Sequence, residues 1–188
     1  MKIIILTENR ESDNKWPYPA FYTKADSTLL KCNKPFFVPD FTQECFASFH
    51  IVARLGKLGK SIPQRFVGRY IDAWTLGVLF YPKDIVAEIA ESVNFDGSTV
   101  IGEFMETIPM SAVPIISVTP GQYHYEEPCP GDILDSVGKS LSALSPLFTW
   151  RQGDLLFSLP MGPAIRVEEG MHICARWSDH PLLDFNIK

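Results

Sequence analysis

The chain lacks any excess of basic charge. Its 17 Lys and Arg stand against 22 Asp and Glu, for a formal net charge of -5. No positive face for phosphate is expected, so nucleic acid is excluded as a partner. No stretch approaches the roughly 20 apolar residues that a membrane span requires. The opening run Met1–Leu6 stops at Thr7–Arg10, too short for the apolar part of a signal peptide. A cytoplasmic protein with no membrane partner is the expectation. The four cysteines, Cys32, Cys45, Cys129 and Cys174, form no CxxC pair. Their spacing suits neither a zinc site nor a small disulfide framework. They read as buried thiols in a reducing compartment. No repeat, linker or low-complexity tract divides the chain, so its 188 residues are read as a single domain.

What is present is strand pattern. Lys2–Leu6 reads as a short buried strand and Ala20–Thr23 as another. Phe46–Leu55 alternates: Ala47, Phe49, Ile51 and Ala53 would face one way, Ser48, His50, Val52 and Arg54 the other. Trp74–Tyr81, Thr99–Met105, Val113–Val118, Leu155–Leu159, Arg166–Val167 and Met171–Trp177 are further strands. Pro114 marks the third of these as an edge strand or a late start. Helices are predicted from Ser61, as N-cap with Gln64 three residues on, to about Tyr70; over Pro82–Ser92; and over Asp132–Leu144. The last carries an apolar stripe of Ile133, Leu134, Val137, Leu141 and Leu144. Pro120–Gly131 reads as a loop. The fold class is mixed α+β, rich in β, with a few short helices.

Several phrases, in order, carry a resemblance: Lys34-Pro35-Phe36-Phe37-Val38-Pro39-Asp40-Phe41, Leu58-Gly59-Lys60-Ser61-Ile62, and Phe66 through Tyr70. They continue with Phe95-Asp96-Gly97-Ser98, Ile101-Gly102-Glu103-Phe104, Gly153-Asp154-Leu155-Leu156-Phe157, and Leu182 to Lys188. From about Pro19 onward the chain resembles the fumarylacetoacetate hydrolase family, known also from its hydroxyheptadienedioate isomerase members. The resemblance implies a rolled, barrel-like β-sheet around a pocket, in a homodimer, with residues 1–30 a reduced N-terminal strand and loop. In active relatives Mg²⁺ or Mn²⁺ chelates a small 2-oxo or 1,3-dicarbonyl acid and stabilises the developing enolate.

The same resemblance implies that the machinery is gone. The family's Glu-x-Glu metal ligands fall on Ser48 and His50, and its third ligand, an Asp, on Leu79. The catalytic His of the N-terminal loop has no counterpart, because no histidine precedes His50. The pocket lysine falls on Val93, the family Arg-Asp pair on Lys83 and Asp84, and the Gly-Thr-Pro turn on Ser158 to Pro163, where Ser158 and Pro160 occupy the vestigial pocket. Lys24 matches a pocket-lining lysine. No metal and no confident catalytic residue are predicted.

Other sites have bland readings. His124 lies in a solvated loop; His172 and His180 have no matched partner; Lys83 and Asp84 suit a surface ion pair or a helix start. Ser48 and His50 recur at the spacing of a nucleophile and its base, with no third group to orient the imidazole. The expected function is a non-catalytic relative that binds a partner or small molecule. The alternative is a hydrolase, decarboxylase or tautomerase of small oxo-acids with a rebuilt site. A carrier of small carboxylates using Lys24 is the third possibility.

Overall fold

The computed structural model describes residues 1–8, 17–31, 34–83, 94–107, 113–120, 123–126 and 131–188. The organising element is β4 (Cys45–Leu55), an eleven-residue strand. It pairs along its whole length with β5 (Ile71–Pro82) in antiparallel register, placing Ser48 opposite Leu79 and His50 opposite Gly77. The other edge of β4 is shared. β9 (Leu155–Phe157) takes Val52–Arg54, and β10 (Ile165–Val167) takes Cys45–Ala47. Between them the connecting chain closes on β4 by single bonds, Ser158 N–H to the Ile51 carbonyl at 2.8 Å and Met161 N–H to the Phe49 carbonyl at 2.8 Å.

The sheet extends from there through β1 (Ile3–Leu6), parallel to β9, and β2 (Phe21–Lys24), antiparallel to β1. On the far side come β6 (Thr99–Ile101) and β3 (Leu29–Lys31), parallel to each other. The result is an eight-stranded, curled half-barrel sheet. A second sheet of four antiparallel strands runs in the order β12 (His180–Asn186), β11 (His172–Trp177), β7 (Pro114–Thr119), β8 (Tyr123–Glu126).

Strand alternation sorts the core as the pattern of Phe46–Leu55 predicts. Ala47, Phe49 and Ile51 join Val78, Phe80, Ile116, Ile173, Trp177 and Phe185 between the sheets. Ala53 and Leu55 join Val137, Leu141, Leu144 and Trp150 beneath α1 (Gly131–Leu144). The opposite face carries Ser48 and His50, with an apolar cluster of Ile3, Ile5, Val52, Leu79, Leu155 and Phe157 beside them. The second sheet and the helix thus pack on one face; Ser48 and His50 lie on the other, which is itself buried around Val52, Leu79 and Phe157.

Some local expectations are corrected. Ser61 caps no helix: it sits at φ 51°, and the chain forms a 3-10 turn, Gln64–Arg69, with Pro63 before it. β5 runs through Pro82 instead of yielding to a helix there; the predicted helix from Asp84 onward, and the separate candidate Val93, lie outside the described residues. Pro114 opens β7, which lies inside its sheet between β11 and β8, so the late-start reading holds and the edge reading does not. Part of the predicted loop Pro120–Gly131 is strand β8, and β3 and β12 escaped the pattern altogether. Cys45 and Cys174 form no disulfide; Cys32 and Cys129 lie outside the described residues.

Gly77 is the position where the site's backing depends on a missing side chain. A Cβ there would lie 2.7 Å from the Phe157 ring and 2.7 Å from a Val52 methyl. Gly77→Ala should therefore push Phe157 from the sheet and cost about 1–3 kcal/mol, the usual penalty of overpacking. A urea midpoint unchanged from the wild type would contradict this.

Candidate functional site

The side chains that share this second face are decided by register. Ser48 and His50 are two apart on β4, so a strand's period of two turns both the same way. Ser48 Oγ and His50 Nε2 are 2.9 Å apart, and His50 Nδ1 lies 2.8 Å from the Ser158 carbonyl oxygen. A carbonyl only accepts, so Nδ1 carries the hydrogen. In the neutral ring Nε2 then offers its lone pair, and the Ser48 hydroxyl donates to it. The expectation that nothing orients the imidazole is corrected: a main-chain carbonyl does so.

The environment favours the neutral ring. His50 is 3 % exposed, with the Phe157 ring 6.0 Å away at a steep angle. Burial lowers its pKa to about 4; the bond to Ser158 opposes this and the charge of Lys24 adds to it. Lys24 ends β2 and is itself buried, its Nζ donating to the Ser98 carbonyl at 3.1 Å. Desolvation brings its pKa down to about 7. The neighbouring Thr28 and Thr99 hydroxyls, both fully buried, bond each other at 3.0 Å. Burial likewise raises the Tyr22 phenol, with Tyr81 adding to it.

Of the predicted positions, the fold brings together Lys24, Ser48, His50, Leu79 and Ser158. Leu79 is buried and belongs to the apolar cluster. Lys83 is exposed and lies over the Phe46 ring at 4.7 Å. Pro160 is exposed on the turn after Ser158. Among the described residues no group of three His, Cys, Asp or Glu side chains is placed to hold a metal ion. A separate cleft of about 490 Å³ lies over α1, lined by Leu6, Tyr18, Lys139 and Leu159 among others, away from this face.

The remaining histidines are on the surface. His124 stands on β8, not in a loop, 3.1 Å from Glu126. His172 does have a partner, Asp184, at 2.7 Å across β11 and β12. The Gly153-Asp154 phrase proves architectural. Asp154 is 1 % exposed and accepts the Lys2 amide at Oδ1 and the Arg151 amide at Oδ2, 2.7 Å each, while the Lys2 ammonium pairs with Oδ2. It ties β1 to β9 at the edge of the site. The contributions that sequence reasoning missed are the Ser158 and Ser98 carbonyls. Both are main-chain atoms, and no residue identity signals them.

Two buried groups that resist protonation give stability a definite pH dependence. Between pH 10.5 and about 7 Lys24 is protonated in the unfolded chain and neutral in the folded one. The unfolded state then binds more protons, so stability falls as pH falls through that window. His50 acts with the same sign between 6.5 and about 4. Lys24→Met should remove the first dependence and be no less stable than wild type at pH 7; His50→Gln should flatten the second. Melting curves across both windows check this, and parallel profiles for wild type and variants would refute it.

Comparison with known proteins gives the following. A search of curated proteins found no match. Among solved structures, fumarylpyruvate hydrolase from Pseudomonas aeruginosa, in complex with Mn²⁺ and pyruvate, superposes with a TM-score of 0.81 at 19 % identity, covering 100 % of this chain and 89 % of that one. For 5-carboxymethyl-2-hydroxymuconate delta-isomerase from Mycobacterium smegmatis the TM-score is 0.82 at 16 % identity, covering 99 % and 76 %. For 2-hydroxyhepta-2,4-diene-1,7-dioate isomerase from Mycobacterium marinum it is 0.80 at 14 % identity, covering 99 % and 73 %. At such identities these likenesses speak for the fold. The family described as Fumarylacetoacetate (FAA) hydrolase C-terminal matches residues 5–163, and the chain belongs to that family.

Proposed function

We propose that this chain is a pseudoenzyme with respect to its family's metal-assisted chemistry: a protein that keeps the fold and binds a small carboxylate or a protein partner. The observation that carries this reading is the state of the three positions that match the metal ligands. Ser48 and His50 satisfy each other at 2.9 Å, and Leu79 offers methyl groups to an apolar cluster. Mg²⁺ and Mn²⁺ want several hard oxygen donors, at least some of them anionic. A hydroxyl already spent on an imidazole, the imidazole itself and a leucine do not fit such an ion. A buried lysine amine beside them, whose charge the imidazole feels, is a further electrostatic obstacle to a divalent cation.

The same amine suits a small carboxylate. Lys24 gives one hydrogen to the Ser98 carbonyl, and an ammonium has three donors in all. A carboxylate arriving at Nζ would also raise its pKa toward the charged form.

Titration calorimetry with Mn²⁺ near neutral pH should show no sub-millimolar binding. Acylpyruvates and oxaloacetate, with metal supplied, should be turned over no faster than background, since Lewis-acid stabilisation is worth several kcal/mol. Metal binding that His50→Ala abolishes, or turnover above about 1 per second, would overturn the reading.

Self-association belongs to the same proposal. Phe37, Phe41 and Leu58 are more than half exposed, and apolar side chains of this size suit a pairing surface. Size exclusion with light scattering should return about twice the 21.2 kDa chain mass; a monomer that persists at high concentration would exclude the dimer.

A further inference from the structure

The hydrogen-bonded chain through Ser158, His50 and Ser48 has a direction. The Ser158 carbonyl holds Nδ1–H of His50 at 2.8 Å, so Nε2 faces the Ser48 hydroxyl with a lone pair at 2.9 Å. A hydroxyl donating to a base, whose far nitrogen is held by a third group, is the arrangement that prepares oxygen for attack. Exposure along β4 falls inward from this hydroxyl: Ser48 is 9 % exposed, His50 3 % and Val52 0 %. Phe46 and Tyr81, the next residues outward on that face, are only half-buried. Ser48 is therefore the more exposed residue of the buried pair, and an electrophile has to reach its hydroxyl from that side.

We infer that Ser48 is a nucleophile toward small activated acyl esters, with His50 as its general base and the Ser158 carbonyl as the group that positions that base, and with no metal ion. This rests on the metal-free reading of the site given above. In the first step Ser48 Oγ bonds to the acyl carbon and its proton passes to Nε2. The ester C–O bond breaks, and the leaving alkoxide takes that proton from Nε2 to depart as the alcohol. Water then adds to the acyl carbon while giving a proton to Nε2. The acyl–Oγ bond breaks, Ser48 recovers the proton, and the acid leaves. Ester and water go in; acid and alcohol come out. Because burial keeps the imidazole unprotonated down to about pH 4, the base is available throughout the neutral range.

The test uses the full chain with a small alkyl fluorophosphonate in EDTA near neutral pH, read by intact mass and peptide mapping. One adduct is expected, on Ser48, and Ser48→Ala should abolish it. His50→Gln, whose amide takes no proton, should slow labelling about 100- to 10,000-fold. Circular dichroism and melting of both variants report whether they fold. The wild-type pH profile stands independently of them: labelling should persist below pH 6.5, where a free imidazole is protonated, and fall toward about 4, with a step near pH 7 where Lys24 takes its charge. An EDTA-resistant absence of label on Ser48, or a folded His50→Gln that labels at the wild-type rate, overturns the nucleophile and leaves the metal-free reading standing. Labelling that appears only when Mn²⁺ is restored overturns both.

Discussion

The structure depends on how β4 spends its second edge. β5 takes the first edge completely, so β9 and β10 must divide the other, and the chain between them has to cross the middle of β4 without a regular ladder. That crossing puts the Ser158 carbonyl against the His50 ring and the Ser158 hydroxyl, 3.0 Å away, under the Ile51 amide. One residue thus satisfies both the backbone donor left over by the broken ladder and the imidazole beside it. Buried polar groups are costly unless paired, and here the break in pairing supplies the partner.

The same economy explains how Ser48, His50 and Leu79 share one buried face without disturbing the fold. Carboxylates gathered on a buried face need a cation to offset their mutual repulsion and desolvation. A neutral hydroxyl, a neutral imidazole and an aliphatic side chain need none. Leu79 extends the apolar cluster of Ile3, Ile5, Val52 and Phe157, so the face is held by burial where a metal-binding relative would rely on ion coordination. Lys24 is the exception, a cation donor kept in an apolar setting by one carbonyl and a desolvation penalty.

Much of the architecture was legible because periodicity reports burial. The alternation of Ala47, Phe49 and Ile51 with Ser48 and His50 placed the two candidates on one face, and the stripe Val137, Leu141, Leu144 marked α1. What escaped were short or conformationally decided pieces. β3 has three residues and β8 four, too few for a period to register; β12 has seven, but its adjacent Leu182 and Leu183 are both buried, which breaks the alternation; and Ser61 looked like a cap until its φ of 51° excluded the role. Asp154 read as a family phrase, and only its bonds to Lys2 and Arg151 revealed a tie between strands.

The sequence by itself determined that Ser48 and His50 share one face of a strand, because a strand's fixed pitch makes no reference to anything distant. It also determined the absence of a histidine before His50. The tertiary structure alone decided whether the imidazole had an orienting partner. That partner is the main-chain oxygen of a residue 108 positions away, and every residue carries such an oxygen. Its direction is set by the crossing of β4's divided edge, which no local pattern encodes.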